Sequence, residues 1–492
     1  MEAAGNERGT LTRRRLFRAG AAGAVGAGLL PAVGCSMEES GAAGRPNVLL
    51  LIIDSVRPDH VGCYGSPQVR TPNIDRLAAR GLRFNRAFPE ANVTIPARRS
   101  IFTGRRIFPY RDWKPDPVLG SSPGWLAIDE PDRTFTSELR RQGYWTAQVS
   151  DNPHIGFPVP YEPFRKSFDH WVSVVGQSGF YKPPESVPMS TVRHWLPPVL
   201  RDDRYLPGMR KYLANSGAGV DEEETCTARV YKSAADRLAE ARLRQPFALV
   251  VDCFDPHEPW SPPRDYIDMY WDGPWDEPEI GVTRYGNAGY LTERQLRRLR
   301  AIYAAELTLT DRWLGHFLDR FYELGLDENT VLILMSDHGY LLGDRGLTGK
   351  VPSQLHPELS QVPFIVVHPD GRAAGATSSY FASTHDVGPT LLSMAGIAAP
   401  DWMEGTDLST LLDGEQPAER RDFHYGGIYN RFFARTDDWV LIGDNRGQER
   451  RLFDLRLDPH EYFDVLQDHP KVSRELYGTI LEAAGGPLPY YG

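Results

Sequence analysis

The segment NVTIPARRSIFTG, residues 92–104, places the hydroxyl of Thr94 at the start of a predicted helix. Pro96 is typical of a first helical turn, and Gly104 is typical of a helix end. A hydroxyl at a helix N-terminus lies in a positive field, which favours a nucleophile and a developing anion. Thr94 is therefore a candidate nucleophile, although a lone threonine at this place is more often a plain helix cap.

Three further side chains could bind a metal ion. Asp54 ends the apolar run NVLLLIID, and Asp337 and His338 follow the apolar run NTVLILMS. Carboxylate oxygens with one imidazole suit a divalent ion. A single aspartate at a strand end more often caps the next turn, but the three residues together with Thr94 predict a metal-assisted site.

The elements that would position these residues alternate along the chain. Continuous apolar runs predict strands buried on both faces, and the runs end at Asp54, Asp252, Asp337 and Asp370. Apolar residues three or four apart predict a long helix that begins at a Thr292–Gln295 capping box and stops near Gly325. Alternating strands and helices predict a mostly parallel α/β sheet flanked by helices, with ligands beyond the carboxyl ends of its strands.

Composition divides the chain into predicted regions. These are a signal at 1–35, a small-residue linker at 36–46, a catalytic domain at 47–414 and a smaller C-terminal α+β subdomain at 415–492. Within the catalytic domain, residues from about 156 to 230 are rich in proline and aromatic residues. We interpret them as a long insertion that departs from the alternation of strands and helices and could form a wall of a substrate site.

The first residues are typical of an export signal. Arg13 and Arg14 resemble the twin-arginine pattern, and the apolar run that follows is too short and too glycine-rich to span a bilayer permanently. Residues 32–35 resemble a lipobox, which predicts lipid anchorage at Cys35, and an ordinary cleaved signal with an incidental cysteine is the alternative. The sequence thus predicts twin-arginine export to a periplasmic or other extracytoplasmic location.

Composition also limits the partners. The chain has 492 residues, 41% of them hydrophobic and 24% charged, as in an ordinary soluble globular protein. Its net charge is -10 and no basic stripe follows the first eighteen residues, which argues against a nucleic-acid partner. An anionic substrate would therefore need a local positive pocket, such as a metal ion with nearby Arg, Lys and His. Cys63, Cys226 and Cys253 predict no disulfide framework.

Several segments together resemble the sulfatase family of alkaline-phosphatase-like proteins. NVTIPARRSIFTGR is similar to the family signature C/S-x-P-S/A-R followed by T-G, with Thr94 at the position that sulfatases oxidise to formylglycine. IIDSVRPDHVGCYG and DHGYLLGDRGLTGK resemble the two metal segments, and THDVGPTLLSMAGI and LFDLRLDPHE resemble later landmarks. The resemblance covers about residues 46–465 and implies an alkaline-phosphatase-like fold.

The resemblance implies that Asp54, Asp337 and His338 bind one divalent metal ion, which is calcium in the family. Manganese or zinc is an alternative, because the site has few carboxylates for calcium. Ser55 stands where many sulfatases have a second metal-binding aspartate, and it is the remaining candidate ligand. A second ion would need residues such as Asp255, His257 or His385, whose spacing does not clearly provide a site.

The resemblance also assigns the catalytic groups. It makes Thr94 the nucleophile and Arg98 a supporting charge, and it makes His154, His257 and Lys350 candidates for holding the transferred anion and protonating the leaving group. Cations paired with a metal ion stabilise the extra negative charge of such a transition state. Asn152 departs from the pattern, because a lysine often stands two residues before the His154 position.

Thr94 is the largest departure. Its Cβ carries a methyl group, so that oxidation would give a ketone, and no formylglycine is expected at Thr94. The alternative is an unmodified alkoxide favoured by metal coordination. Three functions stay open: a sulfatase-like metal-dependent hydrolase of small-molecule or glycan esters, a phosphate or phosphonate ester hydrolase or phosphotransferase with a threonine nucleophile, and an inactive cell-envelope protein that binds sulfated or phosphorylated ligands.

Overall fold

The structure, a computed structural model, describes residues 44–120, 122–128, 130–177, 182–216, 221–418 and 420–492. The predicted signal at 1–35, including Cys35, and most of the predicted linker lie outside the described residues. The strands are β1 (Asn47–Ile53), β2 (Leu82–Phe84), β3 (Trp145–Ser150), β4 (His170–Ser173), β5 (Phe247–Cys253), β6 (Gly286–Asn287), β7 (Thr330–Met335), β8 (Leu341–Leu342), β9 (Leu347–Gly349), β10 (Phe364–Val367), β11 (Thr377–Ser378), β12 (His424–Ile428), β13 (Arg431–Arg435), β14 (Trp439–Asp444) and β15 (Arg451–Asp454).

Helices connect most of these strands. They are α1 (Pro72–Ala79), α2 (Thr94–Thr103), α3 (Phe135–Arg141), α4 (Pro153–Gly156), α5 (Glu162–Lys166), α6 (Met189–His194), α7 (Leu206–Asn215), α8 (Cys226–Arg242), α9 (Arg264–Asp268), α10 (Glu293–Glu323), α11 (Pro357–Ser360), α12 (Val387–Met394) and α13 (Pro470–Ala483). None of the helices in the described residues combines the length and the apolar composition needed to cross a membrane.

An eight-stranded sheet lies at the centre, with the strand order β11-β2-β10-β7-β1-β5-β3-β4. The strands from β7 to β4 are parallel, whereas β10 is antiparallel to both β7 and β2. The predicted mostly parallel α/β sheet is therefore confirmed. Asp54, Asp252 and Asp337 meet at the carboxyl edge, but Asp370 lies towards the opposite edge because β10 runs the other way.

Both faces of the sheet are covered, which explains the continuous apolar runs. Successive side chains of β1 point to opposite faces. Leu49 and Leu51 pack in the same core as residues of α8 and α10, while Leu50 and Ile52 pack in the core that contains residues of α2, α3 and α12. The alternation holds β1 rigidly at the middle of the sheet, where it carries Asp54 at its end.

Helix α10 forms with the predicted capping box. Thr292 Oγ1 accepts from the Gln295 backbone N–H at 3.2 Å, and Gln295 Oε1 accepts from the Thr292 N–H at 2.9 Å. Gly325 follows the helix with φ 66°. From the middle of α10, Tyr303 donates a hydrogen bond to the carbonyl of Ser55 at 2.7 Å, so the helix also supports the loop after β1.

The predicted insertion and its role as a substrate wall stay predictions, and the structure shows that this region contains regular elements that pack into the domain. β4 pairs in parallel with β3 and extends the sheet, and Met209 and Tyr212 of α7 are buried in the core. Several prolines of this region lie in first helical turns, as Pro163 does in α5 and Pro207 does in α7. Proline lacks the N–H that such a position leaves unbonded in any case.

The C-terminal region forms the predicted antiparallel sheet. β12, β13, β14 and β15 pair in sequence order, and α13 follows them. The pairing is antiparallel throughout. This confirms a smaller C-terminal α+β subdomain, while its predicted boundary at residue 415 stays a prediction.

Candidate active site

Asp54, Asp337 and His338 come together at the carboxyl edge of the sheet. One ligand atom from each lies within 4.8 Å of the others, and all three side chains are buried. Asp54 directly follows β1 and Asp337 lies two residues after β7, and these strands are neighbours. The sheet therefore brings together the three ligands that the sequence predicts.

The donor atoms of this cluster fit a divalent cation. Asp54 Oδ2 is buried and accepts no hydrogen bond, although Arg98 Nη1 lies 3.0 Å away as an ion-pair partner. His338 Nδ1 lies 2.9 Å from the Gly339 carbonyl, so Nδ1 carries the proton. The lone pair on Nε2 then faces the Thr94 hydroxyl at 3.4 Å, Asp54 Oδ1 at 3.6 Å and Asp337 Oδ2 at 3.5 Å. A backbone carbonyl that orients an imidazole in this way is typical of metal-binding histidines.

The pKa values of Asp54 and His338 also favour a bound cation in this cluster. Burial, reinforced by the charge of Asp337, raises the pKa of Asp54 well above its usual range. Burial lowers the pKa of His338 to about 4, so its imidazole is neutral. Neutral imidazole is the form that binds metal, and a cation among these atoms would stabilise the ionised form of Asp54.

Ser55 lies in the same cluster as a hydrogen-bond donor. Its hydroxyl donates to Asp54 Oδ1 at 2.7 Å, and its backbone N–H donates to Asp337 Oδ1 at 3.1 Å. Ser55 has φ 61°, an uncommon conformation for a residue with a side chain. It thus orients both carboxylates, and its role as a metal ligand stays a prediction.

Thr94 is the first residue of α2, at the helix N-terminus as predicted. Its hydroxyl lies 3.4 Å from His338 Nε2, and the residue is 2% exposed. The preceding Val93 has φ 74° and ψ 157°, a region that is occupied almost only by glycine. This strained residue turns the chain into the helix at the metal cluster, and Gly104 ends the helix in the left-handed conformation.

Arg98 lies one turn after Thr94 and is buried among three carboxylates. Its Nε and Nη2 donate to the two oxygens of Asp252 at 3.1 and 2.7 Å. Its Nη1 lies 3.0 Å from Asp54 Oδ2 and donates to Asp337 Oδ2. Burial disfavours the charged guanidinium, yet the carboxylates outweigh it and raise the pKa of Arg98. Arg98 is thus a fixed positive charge beside the predicted metal ligands.

Lys350 and His257 form a second cluster. His257 Nδ1 lies 2.6 Å from the carbonyl of Glu258, so it donates there, and Nε2 accepts from Lys350 Nζ at 2.7 Å. Burial, followed by the charge of Lys350, lowers the pKa of His257 well below its usual range. Its ring centroid lies 6.4 Å from that of His338, which joins the two clusters into one site.

His154 completes the predicted set. Its ring lies 4.9 Å from that of Trp125 and 5.9 Å from that of Phe254, which also stacks on His257. Burial, followed by the charge of Lys350, lowers the pKa of His154 to about 3. His154 and His257 are therefore neutral, and Lys350 carries the positive charge of this cluster. Asn152, which departs from the family pattern, caps α4.

Sequence reasoning missed two carboxylates of the site. Asp252 binds Arg98, and its place at the end of an apolar run was a signal that could have found it. Glu258 follows His257 directly and lies beside Lys350, and no spacing or strand pattern marks it. The residues considered for a second ion do not provide one, because the triad of Asp54, Asp337 and His338 is the one suitable cluster within the described parts of the chain.

Comparisons with known proteins agree with this geometry. The sulfatase family model matches residues 46–397, and the model for the N-sulphoglucosamine sulphohydrolase C-terminal region matches residues 353–483. An arylsulfatase of Clostridium perfringens is 28% identical over 454 residues, which cover 86% of this chain and 90% of the relative. An N-acetylglucosamine-6-O-sulfatase of Bacteroides thetaiotaomicron is 22% identical over 534 residues, which cover 91% and 88%.

The fold is also shared with solved structures. The phosphonate monoester hydrolase of Agrobacterium radiobacter superposes with a TM-score of 0.69 at 22% identity, over 90% of this chain and 96% of that protein. This likeness establishes the alkaline-phosphatase-like fold. The sulfatase family model spans most of the chain and includes every residue of the site, and the chain therefore belongs to the sulfatase family.

Proposed function

We propose that this protein is a metal-dependent hydrolase of anionic esters in which Thr94 is the nucleophile. The observation that carries the proposal is the position of the Thr94 hydroxyl at the N-terminus of α2, 3.4 Å from His338 Nε2. Relatives named as an arylsulfatase and an N-acetylglucosamine-6-O-sulfatase support sulfate ester hydrolysis. We infer a small-molecule or glycan ester as the substrate.

Asp54, Asp337 and His338 would hold the cation, with Ser55 beside them. A bound divalent ion supplies positive charge that lowers the pKa of a neighbouring hydroxyl and neutralises charge in the transition state. The family resemblance favours calcium, and manganese or zinc is the alternative. Thr94 acts without oxidation to formylglycine.

The side chains of the site provide the remaining steps. Thr94 Oγ loses its proton to water and attacks the sulfur or phosphorus of the ester. The bond to the leaving-group oxygen breaks, a threonyl sulfate or phosphate forms, and Lys350 Nζ gives a proton to the departing oxygen. Water then attacks the same sulfur or phosphorus, returns a proton to Lys350 and releases Thr94 together with the sulfate, phosphate, phosphate monoester or phosphonate anion.

A phosphate or phosphonate ester is the second candidate substrate. The threonine nucleophile favours it, because the formylglycine route that sulfatases use is closed to threonine. An inactive binding protein of the cell envelope is the remaining alternative. The close assembly of Thr94, Arg98, Lys350 and the metal cluster argues against it, because a site without turnover has no need of a buried nucleophile.

We also propose that the protein is exported by the twin-arginine route to a periplasmic or other extracytoplasmic location, with lipid anchorage at Cys35. The sequence of residues 1–35 supports this proposal. Metabolic labelling with a radioactive fatty acid checks the anchor, and a Cys35→Ser variant is expected to lose the label.

The test of the function is a substrate panel with each divalent metal ion. Wild-type protein, Thr94→Ala and Thr94→Ser are assayed with aryl sulfate, phosphate monoester, phosphate diester and phosphonate esters. Wild-type protein is expected to hydrolyse at least one class, Thr94→Ala to lose turnover while it stays folded, and Thr94→Ser to keep part of it. If Thr94→Ala hydrolyses the best substrate as fast as the wild type, Thr94 is not the nucleophile.

A further inference from the structure

Glu258 brings a negative charge into the wall of the site. Its side chain is 7% exposed, and its buried Oε2 accepts no hydrogen bond, lying 3.3 Å from His257 Nδ1 and 3.6 Å from Lys350 Nζ. The other oxygen, Oε1, accepts a hydrogen bond from the phenol of Tyr285. The carboxylate is therefore fixed in place, with one oxygen available beside Lys350.

The surroundings of Lys350 strengthen the electrostatic effect of the Glu258 carboxylate. The ammonium group lies 5.3 Å from the ring centroid of Tyr285 and 5.4 Å from that of Tyr340, and its side chain is 8% exposed. Glu258 is the carboxylate that pairs with Lys350 within the described residues. Because the side chains of Lys350 and Glu258 are both largely buried, a unit charge here acts at a lower effective dielectric constant than it would on the surface.

Each cation that the chain contributes to this site contacts at least one carboxylate. Arg98 contacts Asp54, Asp252 and Asp337, and Lys350 contacts Glu258. His154 and His257 are neutral because burial lowers the pKa of each. The site thus holds four carboxylates against two cations, and a bound divalent ion would bring the balance to neutral. Removing Glu258 alone would leave one positive charge in excess.

We propose that Glu258 is a specificity-determining residue that selects esters with one negative charge over esters with two. Sulfate monoesters, phosphate diesters and phosphonate monoesters carry one charge, whereas a phosphate monoester carries two above its second ionisation. A second charge near Lys350 is repelled by the fixed carboxylate of Glu258. The inference rests on the proposed function and narrows its substrate class.

The test compares two substrates with the same leaving group. The kcat/KM values for 4-nitrophenyl phosphate and 4-nitrophenyl sulfate are measured at about pH 8.5, where the phosphate is a dianion. Glu258→Gln removes the charge and still offers an oxygen to Tyr285. We expect the phosphate-to-sulfate ratio to rise by about tenfold, as a unit charge at short range in a partly buried site should produce. An unchanged ratio overturns the inference.

Two control variants distinguish the effect of the Glu258 charge from the effect of a structural change in the site. Tyr285→Phe loses the phenol that holds Glu258 but keeps the carboxylate, so its ratio is expected to stay near that of the wild type. Glu475→Gln removes a carboxylate from a matched pair, 3.7 Å from Lys471 on α13, and is expected to leave the ratio unchanged. If Tyr285→Phe raises the ratio as much as Glu258→Gln does, the effect is structural and the inference fails.

A binding measurement distinguishes this inference from the proposed function. Isothermal titration of metal-loaded Thr94→Ala with phenyl sulfate and phenyl phosphate, with and without Glu258→Gln, reports the charge preference without turnover. The affinity for phenyl phosphate relative to phenyl sulfate is expected to rise about tenfold in the double variant. If the wild type hydrolyses no ester, the proposed function fails while this ratio still decides the role of Glu258. An unchanged ratio, or no binding of either ligand, overturns the role of Glu258.

Discussion

At the scale of single residues, the position of Arg98 depends on Asp252. Both oxygens of Asp252 accept from the guanidinium, and neither side chain is exposed to solvent. In the sheet register Asp252 pairs with Ile52, next to Asp54. The strand pairing therefore fixes the carboxylate that holds Arg98 between Asp54 and Asp337.

Removing Asp252 would leave a buried guanidinium with fewer partners. Asp252→Ala is expected to lower the free energy of unfolding by about 3–5 kcal/mol, and Asp252→Asn by less, because its amide oxygen still accepts one hydrogen bond. Denaturant unfolding measures the loss. The control is Asp319→Ala, which breaks an exposed pair with Arg76 and is expected to cost less than about 1 kcal/mol. Equal losses in the two variants would contradict the role of Asp252.

The sequence predicts the residues that belong to motifs better than it predicts their partners. Thr94, Asp337 and His338 stand in segments whose spacing carries the chemistry, and the structure brings them together. Asp252 and Glu258 act through contacts with residues far away in the sequence, and no local spacing encodes such contacts. The neutral state of His154 and His257 also depends on burial, which becomes visible only in the fold.

At the scale of elements, the start of α2 is strained. Val93 precedes Thr94 with φ 74° and ψ 157°, and its side chain is 3% exposed. A residue with a Cβ in this region costs about 1–3 kcal/mol. The apolar core around Val93 and the hydrogen bond from Ala97 N–H to the Val93 carbonyl, at 3.0 Å, hold it there.

Comparing the stabilities of Val93→Gly and Val93→Ala distinguishes the backbone strain at position 93 from the packing of the valine side chain. Both Val93→Gly and Val93→Ala lose contacts of the valine side chain, but only glycine adopts the observed φ and ψ without a steric cost. We expect Val93→Gly to be more stable than Val93→Ala by about 1 kcal/mol, the reverse of the usual order. Thermal unfolding of both variants measures the difference. If alanine is the more stable, the strain at Val93 is absent.

Helix α10 carries a buried acid in its middle. Glu306 is 3% exposed, and its Oε2 accepts from the Ser261 N–H at 3.2 Å. Burial raises the pKa of Glu306 to about 8. The helical periodicity predicts α10 and places Glu306, seven residues after Leu299 and three after Tyr303, on its apolar face. The raised pKa depends on burial, which becomes visible only in the fold.

The raised pKa of Glu306 makes stability depend on pH. Between its ordinary pKa of 4.5 and about 8, the folded state keeps a proton that the unfolded state has lost. This contribution to the free energy of unfolding therefore falls as pH rises, by up to about 1.4 kcal/mol per pH unit, and levels off above the folded pKa.

Glu306→Gln has no proton to lose, so it is expected to remove this part of the pH dependence. The variant should gain stability relative to the wild type as pH rises from about 5.5 to about 8.5. Melting temperatures across this range measure the effect. Glu223→Gln, in an exposed pair with Lys232, is the control. Parallel pH profiles for the wild type and Glu306→Gln would show that Glu306 is ionised in the folded protein.

At the scale of the whole molecule, the hydrophobic pattern predicts the sheet because its strands are covered on both faces. β1, β5 and β7 read as continuous apolar runs, and the same burial places Asp54, Asp252 and Asp337 at one edge. Strand direction is not encoded in this way, since β10 has the same apolar character but runs antiparallel. The packing of α7 was missed because prolines mark helix starts as well as loops.

The fold brings the predicted metal ligands Asp54, Asp337 and His338 together from distant parts of the sequence, so a divalent ion should bind the native state alone. Such binding stabilises a protein by about 2.7 kcal/mol when the free ion is at a hundred times its Kd. We expect calcium, manganese or zinc to raise the melting temperature of the wild type, and a chelator to reverse the increase. Arg98 already contacts Asp54 and Asp337, so the chelated protein should stay folded.

Asp337→Asn should lose the response to the ion, whereas Asp370→Asn, towards the other edge of the sheet, should keep it. An equal increase in Asp337→Asn and the wild type would mean that the ion binds elsewhere.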